Sequence, residues 1–206
     1  YMYCALNKGV SLYAMAKYED AEKTLLRAYQ LAPRNVHVNF HLGKYQLEVK
    51  KDFVQAAMYF KYAVDATGGR YPAADINRAI ALSFMKNYAE ARNCLNRALS
   101  YEPGNLGGLF QLGRIELETG NAGGAVQAYD RLLSQEPNHL LAWYNLGVAQ
   151  VAISDFAGAM KAFEKTVALD PKSEQGLFNL AFVAEKLQDG PRAITAARQL
   201  ADVPHQ

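Results

Sequence analysis

His37 and His41 stand four residues apart. On a helix that spacing puts two imidazoles on one face, where both can bind one metal ion. No third ligand stands nearby, and the Glu of an H-E-x-x-H frame is missing, so the pair reads as two histidines lining a groove. Glu116 and Glu118 are two apart and point to different helix faces, which separates them as a general acid and base. The run Gly120-Asn121-Ala122-Gly123-Gly124 is glycine-rich, yet it falls between two helical stretches and lacks the G-x-x-x-x-G-K frame of a phosphate cradle, so it reads as a turn. Neither G-x-G-x-x-G after a strand nor a G-x-S-x-G elbow occurs. Cys4 and Cys94 have no paired spacing, which argues against a zinc knuckle or a disulfide framework and for two small core residues. The expectation is a chain with no catalytic residues, no metal and no cofactor.

A different chemistry recurs. Asn7, His41, Asn77, Gln111, Asn145 and Asn179 follow one another at nearly constant spacing. A carboxamide carries both a donor and an acceptor, which suits the alternating N–H and C=O groups of an extended backbone. Around this series stand the aromatic residues Phe84, Phe110, Tyr144 and Phe178, with Tyr3, Phe40 and Phe182, and the cations Lys44 and Arg114. Rings of this kind anchor interfaces. The pattern predicts a partner segment with apolar side chains, held by polar contacts to its backbone.

The elements that position these residues follow from a repeat. Pro103, Pro137 and Pro171 lie 34 residues apart, and Pro33 closes an earlier unit. A period of this length signals stacked helix pairs. Residues 140–173 give the clearest register, with Trp143, Leu146-Gly147, Asp155-Phe156, Ala159, Phe163 and Asp170-Pro171. Aligning the rest to it gives six units in one array spanning 1–206: 2–35, 36–71, 72–105, 106–139, 140–173 and 174–206. The eighth position is always small (Gly9, Gly43, Ala79, Gly113, Gly147, Ala181), and so is the twentieth (Ala21, Ala56, Ala91, Ala125, Ala159, Ala193). The two are expected to face each other where the helices of a pair cross. Large residues at Leu25, Phe60, Leu95, Tyr129 and Phe163 are expected to fill the space between units. The second unit departs: Lys50-Lys51 adds a residue to its internal turn, and Thr67-Gly68-Gly69-Arg70-Tyr71 replaces the closing Asp-Pro.

These residues resemble the tetratricopeptide repeat family, whose motif W-x2-L-G-x2-Y is followed by small and aromatic positions and a closing Pro. The resemblance implies an all-α, right-handed superhelical α-solenoid of six antiparallel helix pairs. It also implies that the first helix of each unit lines a concave groove where a protein or peptide partner binds. The polar series is similar to the asparagine ladder of the O-linked N-acetylglucosamine transferase repeats. The carboxylate clamp of co-chaperone repeats needs a basic residue and an Asn at the fifth and ninth positions; Leu6, Val10, Ile76 and Ile80 occupy them here. Tyr71-Pro72 after a lengthened unit is similar to the tetratricopeptide lipoproteins of type IV pilus assembly. Lys8-Gly9 and His41-Leu42-Gly43 are similar to the openings of magnetosome-associated repeat scaffolds.

Half of the residues are apolar and one fifth charged, enough for an extended core with a solvated surface. Residues 1–71 hold ten Lys and Arg against six Asp and Glu, and the remainder holds twelve against fourteen, with no basic stripe for nucleic acid. No apolar run reaches the roughly 20 residues that cross a bilayer. Two cysteines lean toward a reducing compartment such as the cytoplasm. Tyr1 is not an initiating Met and already opens a helix, so the chain reads as a fragment or processed product, and a preceding lipoprotein signal would place it in the periplasm. The functional expectation is a non-catalytic interaction scaffold supporting assembly of a multiprotein complex. Two alternatives stand beside it: the substrate-recognition arm of an enzyme whose catalytic domain lies outside this chain, and a self-assembling scaffold.

Overall fold

Tandem short turns between amphipathic stretches leave the chain no long-range pairing to make, and each helix packs on its sequence neighbours. The computed structural model describes residues 1–203; residues 204–206, the end of the sixth repeat as read from the sequence, lie outside the described residues. Among the described residues there are twelve α-helices and no strand. They form two compact units, Tyr1–Gln111 and Leu112–Gln206. The first holds α1 (Met2–Ala14), α2 (Tyr18–Leu31), α3 (Val36–Tyr45), α4 (Phe53–Ala66), α5 (Pro72–Phe84), α6 (Tyr88–Tyr101) and the start of α7 (Leu106–Glu118). The second holds the rest of α7, then α8 (Ala122–Leu133), α9 (Leu140–Ala152), α10 (Phe156–Leu169), α11 (Glu174–Lys186) and α12 (Gly190–Ala201).

The turn inside every pair uses one device. A single residue enters the left-handed region (Ala16, Lys51, Lys86, Gly120, Ser154 or Gln188), which reverses the chain. In every pair but the first, the second helix then starts on a side-chain cap: Asp52, Asn87, Asn121, Asp155 and Asp189 each accept a bond from the backbone N–H three residues on. A cap of this type contributes about 1 kcal/mol. The glycine-rich run 120–124 is such a turn, with Asn121 capping α8 through the Gly124 N–H. Between pairs, Asn35 and Ser173 cap α3 and α11, and Pro72 opens α5 at the first turn, where its missing N–H costs nothing.

The crossing within a pair differs from the small-on-small contact expected from the sequence. A Cβ built on Gly9 would meet the Leu25 side chain at 2.8 Å; on Gly43 it would meet the Phe60 ring at 2.7 Å, on Gly113 the Tyr129 ring at 2.5 Å and on Gly147 the Phe163 ring at 2.6 Å. Each glycine is therefore a notch for the large residue of its own pair, and that large residue does not sit solely between units. The reason is steric: a buried ring needs a hole on the facing helix, and the missing Cβ supplies it. The alanines at the twentieth position, Ala21, Ala56, Ala91, Ala125 and Ala159, are fully buried beside this contact. In the first unit Leu6, Leu25, Val38, Leu42 and Tyr45 form one core cluster; in the second, Phe163, Leu180, Val183 and Ala196 form another.

The extra residue of the second repeat also lies elsewhere than expected. It enters the end of the first helix, where Gln46–Lys50 form a π-helical turn running on from α3, and Lys51 then reverses the chain. An i→i+5 turn absorbs one residue without losing its hydrogen bonding. Gly68 and Gly69 both take positive φ in the connection to α5. Cys94 is buried, but Cys4 is exposed, contrary to its expected place in the core, because it lies on an α1 face open to solvent beside Lys8 and Lys23.

Candidate functional site

In the first unit the sixth-position residues stand on the first helices of their pairs. Asn7 is exposed on α1, and His41, Asn77 and Gln111 are half-buried on α3, α5 and α7. Asn77 donates its Nδ2–H to the Ala73 carbonyl one turn back at 2.8 Å, which orients the carboxamide. Phe84 is 57% exposed and stacks on Phe53 with ring centroids 4.4 Å apart. Phe110 is half-buried.

Lys44 belongs to a tight local cluster. It pairs with Glu48 at 3.6 Å and lies 5.8 Å from the Tyr13 ring centroid, while the Tyr13 hydroxyl donates to Glu48. Burial and the adjacent carboxylate push the Tyr13 phenol well above its ordinary range. The π-helical turn is what brings Glu48 to Tyr13, and it also carries Lys50 to Glu22 at 3.0 Å. Tyr13 and Glu48 were not among the sequence candidates; the one-residue excess at Lys50-Lys51 was the signal, without showing which side chains it would redirect.

His41 is the titratable member of the series. Desolvation first, then the nearby charges of Lys44 and His37, lower it from its ordinary value of 6.5. A group with a depressed folded pKa gives full stability above 6.5, because the imidazole is then neutral in both states. Below that, the unfolded chain takes the proton first and stability falls. Urea unfolding between pH 7.5 and 5 should show this loss, and His41→Gln should reduce it; an identical slope in the variant would remove His41 as its source.

In the second unit Arg114 is exposed on α7, and Tyr144 and Asn145 are half-buried on α9. Asn179 on α11 donates to the Tyr144 hydroxyl at 3.4 Å, tying the first helices of consecutive pairs together. Burial raises the Tyr129 phenol strongly, against the opposing influence of Arg114 and the Asn145 carboxamide, so these two candidates converge on one buried hydroxyl. Phe178 is 62% exposed, and Phe182 carries Lys186 over its ring. Glu116 is buried on α7 and accepts from Asn121 Nδ2 at 2.8 Å, a structural contact. Among the described residues no group of three or more His, Cys, Asp or Glu is placed to hold a metal ion, and no helix is long and apolar enough to cross a membrane.

In both units the sixth position of each first helix is thus polar: Asn7, His41, Asn77 and Gln111 in the first, Asn145 and Asn179 in the second. The family model for the tetratricopeptide repeat matches residues 6–74, 76–139, 110–174 and 144–204. The chain belongs to the tetratricopeptide repeat family. Its fold is similar to that of MamA (residues 41 to the end) from Desulfovibrio magneticus RS-1, at 20% identity and TM-score 0.73, covering 82% of this chain and 92% of that one. It is also similar to YrrB, described as a TPR protein with an unusual peptide-binding site, at 21% identity and TM-score 0.74, covering 84% of this chain and 89% of that one. A MamA RS-1 double mutant gives TM-score 0.76 at 18% identity, covering 82% of this chain and 93% of that one. No curated protein sequence is significantly similar to the chain. Tetratricopeptide repeats of this kind support protein–protein interaction.

Proposed function

We propose that this chain is a non-catalytic adaptor that holds an extended partner segment along the first-helix faces of its repeats and supports assembly of a multiprotein complex. The observation that supports this reading is that orientated carboxamides and exposed rings share first helices: Asn77 and Phe84 on α5 in the first unit, Asn179 and Phe178 on α11 in the second. The rings supply apolar contact area, and the amides supply partners for a backbone that would otherwise lose its water bonds on docking. Because amides bind main chain, such a face fixes the path of the segment and leaves its side chains variable. Asn7, His41, Gln111, Asn145, Lys44, Phe110, Arg114 and Tyr144 extend the proposed contact surface. The interaction fold fits the YrrB resemblance, that protein being one with a peptide-binding site.

The test is affinity capture from the source cell, followed by binding measurements on the segment recovered, with wild type against an Asn7→Ala, Asn77→Ala, Asn179→Ala variant of unchanged helicity. Loss of one hydrogen bond of about 1 kcal/mol per residue predicts weakening by tenfold or more. Equal affinity would sink the proposal.

A further inference from the structure

In the second unit a cleft of about 670 Å³ opens between α8, α9 and α10, on residues outside the first-helix series. Trp143 and Leu146 form part of its wall, and the indole is held in place by donating Nε1–H to the Pro137 carbonyl at 2.7 Å. Gln150 also lines it. The family motif W-x2-L-G-x2-Y has a tyrosine at this place, so the smaller Gln150 opens room beside Trp143. Its carboxamide oxygen is buried with no hydrogen-bond partner, a state that costs about 1–3 kcal/mol and that an N–H donor in the cleft would relieve once the amide turns toward it.

The cleft is also lined by charged side chains. Lys161 and Lys165 lie one turn apart on α10 and make no ion pair among the described residues, and the carboxylate between them in sequence, Glu164, pairs with Arg192 at 3.2 Å. Like charges at this spacing repel, so an incoming carboxylate is favoured there. Asp130, from α8, makes no ion pair among the described residues either. The cleft therefore offers an apolar wall, two ammonium groups on α10 beside the Arg192-paired Glu164, and the Asp130 carboxylate on α8.

We propose that this cleft is a second peptide-binding site, separate from the sixth-position polar series, and that its occupant is a partner segment with an apolar side chain flanked by one basic and one acidic residue. The apolar side chain lies on Trp143, the acidic group meets Lys161 and Lys165, the basic group meets Asp130, and a backbone N–H meets Gln150. This complementarity requires all three features in one ligand.

Trp143 is the single tryptophan of the chain, so its emission reports on this cleft alone. The probe is an acetylated and amidated Lys-Gly-Leu-Gly-Asp pentapeptide titrated into the full chain, followed by Trp143 fluorescence and by calorimetry. A saturable change at millimolar concentration or below is expected. It should weaken at least tenfold in Lys161→Ala, Lys165→Ala and with the control peptides Gln-Gly-Leu-Gly-Asn and Lys-Gly-Gly-Gly-Asp, and persist in the Asn7→Ala, Asn77→Ala, Asn179→Ala variant. The lysines are exposed, so their removal leaves the fold intact. Absence of saturable binding in both readouts, or equal binding by the lysine variant, overturns the proposal; failure of the triple asparagine variant to lose its groove partner leaves this site unaffected.

Discussion

Phe163→Ala should destabilise the second unit by about 3–5 kcal/mol, the range for removing a fully buried ring. Phe163 is 1% exposed, belongs to the core cluster with Leu180 and Val183, and fills the notch left by Gly147. The notch makes the effect reciprocal. Gly147→Leu alone would drive its Cβ to within 2.6–2.9 Å of the ring carbons and should cost about 1–3 kcal/mol, even though replacing a helical glycine gains up to about 1 kcal/mol in propensity. In the Phe163→Ala background the same leucine enters the vacated space. The double variant should therefore be more stable than Phe163→Ala, with a coupling of roughly 1–3 kcal/mol. Because stability in stacked repeats is local, hydrogen exchange in α9 and α10 is the measurement of choice, with α1 and α2 as internal reference. Simple additivity of the two costs would show that the glycine does not act as the socket of the ring.

That contact also marks how far the sequence can be read. Helix pairs were legible because a small residue, a turn and a closing proline return at one period, and the capping residues Asn87, Asn121 and Asp155 are local signals for local structure. What faces Gly147 depends on the rotation of two helices about their axes, which a period does not encode, and so the ring rather than the alanine was the surprise. The π-helical turn is a similar case: the excess residue at Lys50-Lys51 was visible, but a loop and a widened helix turn absorb it equally well on paper. Of the site, the placement of the polar series on first helices follows from register alone. The partners that Asn77 and Asn179 use within the fold, the Ala73 carbonyl and the Tyr144 hydroxyl, depend on side-chain rotamers and on contacts between units of the array. The cleft beside Trp143 depends on how α8, α9 and α10 pack, which no local signal in the sequence states.

Arg97→Ala should destabilise the first unit by roughly 2–3 kcal/mol, through the charge it leaves behind. Asp75, on α5, is 0% exposed and accepts a bond from Arg97 Nε at 2.8 Å and a second from the terminal guanidinium nitrogen. The hydrogen bonding to Asp75 raises the Arg97 guanidinium above its ordinary value, although burial opposes this. Removing one partner of a buried pair costs about 3–5 kcal/mol, and the 41% exposure of Arg97 lets water reach the vacated place and lowers the figure. Arg78 does not substitute, since its guanidinium is engaged with Glu90 and the Cys94 sulfur. The decisive comparison adds Asp75→Asn. A neutral carboxamide needs no guanidinium, so Asp75→Asn, Arg97→Ala should be more stable than Arg97→Ala alone, whereas a loss caused by the missing arginine stem would persist in both. Urea midpoints of the four proteins separate the two causes.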